Sequence, residues 1–169
     1  MTPEQRKGMS ASYSGSFNPL HNGHIMAVEN IFELGYSHIH LFVRDNPAED
    51  IVPWEEKEAW FARLNERFGG RLTLHRMRSD IAGKKYDGNV FEKMVHDEDA
   101  LAGAPIHGFY FGDDHTKLVE ELKRIFPEKE FHIGDRGLGY NSTALRNDLE
   151  GHKDWVPDYV YESLKRCGC

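Results

Sequence analysis

A chain of 169 residues with 39% apolar side chains is long enough for one well-buried core and short for two, so a single domain spanning residues 1–169 is expected. The formal net charge of −7 is the wrong sign for a surface that tracks a nucleic-acid backbone, because neutralising phosphates takes clustered Lys and Arg. No run of about 18 apolar residues is present, MTPEQRKG has no apolar leader, and the only cysteines are Cys167 and Cys169; these features argue against a membrane partner, a secretory signal, a disulfide framework and a multi-cysteine zinc site, and point to the reducing cytoplasm.

In chain order, Met9–Ser14 reads as a strand. Gly23–Leu34 reads as a helix with Ile25, Val28, Ile31, Phe32 and Leu34 on one face. His38–Val43 alternates as a second strand, followed by the polar loop RDNPAED. Pro53–Phe68 carries Trp54, Ala59, Phe61, Ala62, Leu64 and Phe68 at helical spacing and stops at Gly69-Gly70. A third strand is expected at Arg71–Arg76, a helix at Asn89–Leu101, a fourth strand at Ile106–Phe111, a helix at Lys117–Phe126 and a fifth strand at Glu130–Ile133. Helices at Thr143–Leu149 and Asp158–Arg166 close the chain. This alternation predicts a Rossmann-like α/β fold: a doubly wound, parallel, five-stranded sheet with helices on both faces. In such sheets ligands sit at the carboxyl ends of strands, where the strand order reverses.

The loop after the first strand, SGSFNPLHNGH (Ser14–His24), has the chemistry for that position. Gly15 lets the chain leave the strand sharply and Pro19 fixes the turn. Asn22-Gly23-His24 enters the helix, whose free N–H groups and positive dipole end suit an anion. His21 and His24, three apart, lie on the same side of the first turn and can both point at that anion. The alternative has one histidine capping the helix while the other packs against the sheet; the complete string, set between strand and helix, favours phosphate.

That string resembles the (H/T)-x-G-H signature of the nucleotidyltransferases related to class I aminoacyl-tRNA synthetases. The resemblance implies that His21 and His24 contact a triphosphate at the bond being broken, with Gly15, Ser16, Phe17, Asn18 and Gly23 lining the nucleotide. Near the other end, YNSTALR (Tyr140–Arg146) resembles the I-S-S-T-x-I-R element of the same superfamily, with Tyr140 and Asn141 departing from its first two positions. Ser142 or Thr143 can cap a helix start, and Arg146, one turn on, offers a guanidinium fork for phosphate oxygens.

Trp155–Leu164 (WVPDYVYESL) is similar to the V-P-x-x-V-x-x-Y-I ending of bacterial nicotinate mononucleotide adenylyltransferases, and GSFNP to the eukaryotic nicotinamide mononucleotide enzymes. FGDDH resembles their I-G-x-D-x element, which implies nucleotide contacts from Gly112 and a ribose-binding carboxylate at Asp114; Asp113 or Asp114 capping the next helix is compatible with it. Asn46-Pro47 is a further likeness. Acceptor contacts are assigned to Asn46, Trp54, Lys57 and Tyr86, the last from a faint echo of a family S-Y-T element in Lys85-Tyr86-Asp87. Taken on their own, Trp54 reads more readily as a core residue of the helix and Lys57 as a solvated lysine.

These resemblances imply transfer of AMP from ATP to a pyridine mononucleotide, nicotinate or nicotinamide, in NAD biosynthesis. A phosphomonoester acceptor is already ionised, so no general base is required. Magnesium is expected to ride on the substrate phosphates, with no metal site of the protein's own. Cytidylyl transfer to a phosphorylated alcohol, pantetheine-phosphate adenylylation and a non-catalytic nucleotide-binding module are the alternatives. Among the remaining histidines, His38 and His40 read as a surface pair, and His75, His96, His107, His115, His132 and His152 show no ligand spacing. The stretch Glu49–Glu58 reads as a solvated loop and helix start. The tail ending in Cys167-Gly168-Cys169 suits a subunit contact in a homo-oligomer as well as a frayed end.

Overall fold

The computed structural model describes residues 1–78, 88–112 (backbone only over 88–91), 115–134 and 139–168. Five strands, β1 (Ser10–Gly15), β2 (His38–Asp45), β3 (Leu72–Arg78), β4 (Gly108–Gly112) and β5 (Glu130–Gly134), pair in parallel in the order β3-β2-β1-β4-β5. Ala11 sits in register with Ile39 on one side and with Gly108 on the other. The chain therefore winds outward from β1 to β3, then returns to the far side of β1. This reversal opens the crevice between β1 and β4 at their carboxyl ends, where Gly15 and Gly112 lie.

Apolar alternation on both faces of the strands calls for two covering layers. Ile39, Leu41 and Val43 pack with Ile25, Val28 and Ile31 of α2 (Asn22–Glu33), Trp60, Phe61 and Leu64 of α3 (Trp54–Arg67), and Val160 and Leu164 of α7 (Asp158–Arg166). On the other face Phe42, Phe109 and Phe131 meet Val95 of α4 (Gly88–Ala102) and Val119 and Leu122 of α5 (Thr116–Ile125). The doubly wound parallel sheet with helices on both faces is thus the observed architecture, and no described helix is long and apolar enough to cross a membrane.

Several local readings are corrected. The buried stripe of α3 is Trp54, Lys57, Trp60, Phe61 and Leu64, whereas Ala59 and Ala62 face solvent. A short helix, α1 (Pro3–Arg6), precedes β1 and is closed by a Thr2/Gln5 capping box. Its Arg6 is buried, donating to both carboxylate oxygens of Glu130 at 2.9 and 3.1 Å and to the Leu34 carbonyl at 2.8 Å. A 3-10 segment, Glu150–Trp155, precedes α7. His38 and His40 are half-buried rather than a surface pair: His38 Nε2 meets Thr73 Oγ1 at 2.6 Å and His40 Nδ1 meets His75 Nε2 at 2.9 Å, across the β2–β3 pairing. Among the described residues no group of three His, Cys, Asp or Glu side chains could hold a metal ion.

Candidate active site

The loop leaving β1 is fixed from three directions. Phe17 takes a left-handed backbone (φ 46°), costly for a residue with a side chain, and its ring is 1% exposed between Tyr13, His24 and Phe61. Burial of that ring offsets the backbone cost, so only the main chain of Phe17 is available to a ligand. The Asn18 side chain clamps the next loop, donating from Nδ2 to the Glu49 carbonyl at 3.0 Å and accepting the Ile51 N–H at 2.9 Å. The Asn18–Pro19 peptide is cis. Ser16, by contrast, is exposed beside the half-buried Gly15.

Lys57 anchors the loop from below. Its ammonium is fully buried, pairs with Asp50 at 2.8 Å and donates to the carbonyls of Ser16 at 2.8 Å and Arg44 at 3.0 Å. Burial lowers its pKa while Asp50 pulls the other way. The solvated-lysine reading is therefore replaced by a structural one, since a strand end and two loops supply the acceptors that water would have given. Asp50, buried with it, departs from the solvated acidic stretch. Trp54 is 7% exposed in the core, with the Arg76 guanidinium 5.1 Å from its ring centroid. Asn46, 1% exposed just past β2, accepts the Ala48 N–H at 3.3 Å through Oδ1, while its Nδ2 has no partner among the described residues. Tyr86 and Asp114, with the neighbouring Lys85, Asp87 and Asp113, lie outside the described residues.

His21 and His24 form a reciprocal cap on α2. His21 Nδ1 accepts the Gly23 N–H at 3.0 Å, and His24 Nδ1 accepts the His21 N–H at 3.1 Å. The two rings stack at 3.7 Å between centroids, 19° from parallel. Capping thus occupies Nδ1 of both histidines and leaves Nε2 of each ring outside the cap. With Nδ1 accepting, a neutral ring must carry its proton on Nε2. Burial lowers the His21 pKa to about 4; burial and the neighbouring His21 hold His24 well below its usual value. Two neutral Nε2–H donors result, and neither has a protein partner among the described residues.

The second motif closes on the first. α6 (Ser142–Asn147) is capped by Asn141, whose Oδ1 accepts the Ala144 N–H at 3.1 Å. Ser142 and Thr143 are therefore not the cap, and the departure at Asn141 relieves both hydroxyls of that task. Arg146 reaches across to donate from Nη1 to the Asn18 carbonyl at 2.7 Å and from Nη2 to Thr143 Oγ1 at 3.2 Å. One guanidinium thereby joins α6 to the loop three residues before His21.

The structure thus sets a histidine-capped helix at the switch point of a doubly wound sheet and draws the Arg146 guanidinium onto the same loop, and the resemblance read from the first motif is supported by a family match that includes it. Residues 12–66 match the family described as cytidylyltransferase-like. Along most of its length the chain is similar to the nicotinic acid mononucleotide adenylyltransferase of Plasmodium falciparum complexed with APC, at 14% identity and a TM-score of 0.62, covering 93% of this chain and 94% of that one. It is also similar to a bifunctional NMN adenylyltransferase/ADP ribose pyrophosphatase from Francisella tularensis (13% identity, TM-score 0.63, 94% of this chain and 49% of that one). A third likeness is to the NadR protein in complex with NAD and AMP-PNP (19% identity, TM-score 0.59, 88% and 44%). At these identities the likeness is one of fold. No curated protein sequence matches the chain significantly.

Proposed function

We propose that the chain, as one domain, is a cytoplasmic adenylyltransferase that transfers AMP from ATP to nicotinate or nicotinamide mononucleotide, releasing pyrophosphate, in NAD biosynthesis. The observation that carries this reading is the bond from Arg146 to the Asn18 carbonyl, which draws the guanidinium and the two imidazole donors onto one loop at the switch point. A pocket meant for an uncharged ligand has no use for three such donors. The likeness in fold to adenylyltransferases of pyridine mononucleotides supports the choice of acceptor.

In this reading a phosphate oxygen of the mononucleotide, already ionised, attacks the α-phosphorus of ATP in line. The new P–O bond forms as the bond from the α-phosphorus to the bridging oxygen breaks, and pyrophosphate leaves. Negative charge grows on the bridging and pyrophosphate oxygens. The Nε2–H groups of His21 and His24, the Arg146 fork and the hydroxyls of Ser142 and Thr143 meet it, each donor worth about 10²–10³ in rate. Main-chain groups of Gly15, Ser16 and Gly112 line the nucleotide, and Gly23 makes room for the His21 ring. Because both imidazoles are neutral, they stabilise charge by donating hydrogen bonds, and neither is required as a base. The donor set suits phosphate oxygens, and magnesium, which prefers oxygen ligands and retains its waters, would enter as part of the triphosphate substrate.

The test is an acceptor panel. With magnesium and ATP or CTP, the protein is expected to release pyrophosphate and give a product of dinucleotide mass only with a pyridine mononucleotide and ATP. Turnover of phosphopantetheine, or of a phosphorylated alcohol with CTP, would reassign the acceptor, and binding of ATP without turnover on any acceptor would make the chain a binding module.

A further inference from the structure

One aromatic residue at the site has no role in the phosphate chemistry above. Tyr140 precedes the cap of α6, half-buried, and its ring lies 6.1 Å from that of His21 and 24° from parallel. The His21 ring thus stacks on His24 and is flanked by Tyr140. Trp155 meets the Tyr140 ring edge-on at 5.5 Å, and His152 backs Trp155 at 4.1 Å. The 3-10 segment carrying both is tied to the first turn of α2, where Asn22 Nδ2 donates to the Asp154 carbonyl at 3.0 Å. Gly23 completes the fit: a Cβ there would stand 2.8 Å from His21 Cε1, 2.9 Å from His21 Nδ1 and 3.1 Å from Tyr140 Cβ. Ring and backbone thus close on the imidazole through a gap that only glycine leaves.

We propose that Tyr140 is the positioning residue of His21: its ring flanks the imidazole and, across the gap at Gly23, holds it in the orientation that keeps the Gly23 N–H on Nδ1 and the donor proton on Nε2. This rests on the reading of His21 as a phosphate contact. A ring free to turn would lose the cap and exchange its Nε2 proton for one on Nδ1, which points into the protein. Shielding by Tyr140 also adds to the burial that keeps the ring neutral. The titratable groups on the surrounding elements are His24, Glu29 and Glu33 on α2, Arg146 on α6, and Glu150, His152, Lys153 and Asp154 on the 3-10 segment; of these, His24 alone stacks on His21. Among the described residues no carboxylate bonds to the ring to draw a proton onto it.

The test uses Tyr140→Phe, Tyr140→Ala and Tyr140→Leu. Steady-state rates are measured with ATP and a pyridine mononucleotide, and the His21 ring nitrogens are followed by NMR through a pH titration without substrate. Tyr140→Phe, which keeps the ring, is expected to match the wild type in both. Tyr140→Ala is expected to lower kcat about tenfold or more while the KM for ATP changes by less than about threefold, and to shift His21 toward mixed tautomers and an ordinary titration. Tyr140→Leu keeps bulk without a flat face and shows the same direction should the alanine variant not fold. A folded Tyr140→Ala or Tyr140→Leu protein with wild-type kcat and an unchanged Nε2–H tautomer overturns the proposal, as does a Tyr140→Phe protein as impaired as the alanine variant. Because the NMR arm needs no substrate, absence of turnover in the wild type counts against the function alone, and an unaltered His21 spectrum counts against the positioning alone.

Discussion

Arg146 donates to the main-chain carbonyl of Asn18 at 2.7 Å, linking residues 128 positions apart in the sequence. That single contact makes two short motifs into one site. Arg146→Lys keeps the charge and loses the fork, so one amine cannot hold Asn18, Thr143 and a phosphate together. Pyrophosphate release is expected to fall about 10- to 100-fold. The urea midpoint should barely move, because the Asn18 side chain holds the loop independently through Glu49 and Ile51. A lysine variant with full activity would show that charge alone suffices.

Gly23 sits inside the site without a left-handed backbone to explain it. An added methyl would collide with the His21 ring rather than with solvent. Gly23→Ala is accordingly predicted to displace His21 from its cap, costing about 1 kcal/mol of stability and at least about tenfold in kcat. Thermal unfolding and steady-state kinetics on the same preparation check both effects. A variant as active as the wild type would mean that the observed ring position does not matter.

The buried Lys57–Asp50 pair holds Ser16 from beneath. Lys57→Met leaves the Asp50 carboxylate buried and uncompensated, and deprives the Ser16 and Arg44 carbonyls of that donor. Destabilisation of about 3–5 kcal/mol is expected, and adding Asp50→Asn should restore part of it. Urea titrations of the single and double variants measure this directly; a single variant within about 1 kcal/mol of the wild type contradicts the role.

Buried ionisable groups set the pH dependence of stability. His21, His40 and His132 are each lowered from 6.5 to about 4, chiefly by burial. The unfolded chain therefore binds more protons than the folded one between those values, and stability is fully present above about pH 6.5 and lost as the pH falls toward 4. Glu98 on α4 acts in the opposite sense. It accepts from the hydroxyls of Ser12 and Ser14, and burial raises its pKa from 4.5 to about 7, so it costs stability as the pH rises through that range. The urea midpoint of the wild type should climb between about pH 4 and 6.5, three imidazoles outweighing one carboxyl. Glu98→Gln should be the more stable protein at about pH 8, by roughly 1–3 kcal/mol, with the difference vanishing near pH 4.5. A gap independent of pH would show that the carboxyl ionises normally.

How much of this could be read from the sequence follows from which interactions are local. The two motifs that the proposal assigns to phosphate could be picked out because each is local, one along a strand–turn–helix and the other along a short capped helix. The parallel sheet covered on both faces followed from alternation, whereas the strand order β3-β2-β1-β4-β5 did not. Asn141 as the cap of α6 was available from its position and residue type, but the hydroxyls beside it obscured it. The burial of Lys57 was hidden, since two of its acceptors are main-chain carbonyls, at Arg44 in β2 and at Ser16 just past β1, and only Asp50, in the loop before its helix, is a nearby side chain. Likewise the stack of Tyr140 on His21 joins segments more than a hundred residues apart, and no periodicity announces it. The lone Thr2/Gln5 box was a readable helix start that four residues made too short to expect.

If His24 and Arg146 serve one departing pyrophosphate from two ends of the chain, losing either should all but stop the reaction. Pyrophosphate release from ATP and a pyridine mononucleotide is measured for the wild type, His24→Ala and Arg146→Ala, with circular dichroism on each. Turnover by the wild type and losses of about 100-fold or more in both folded variants are expected. Wild-type rates in either folded variant would overturn the shared role.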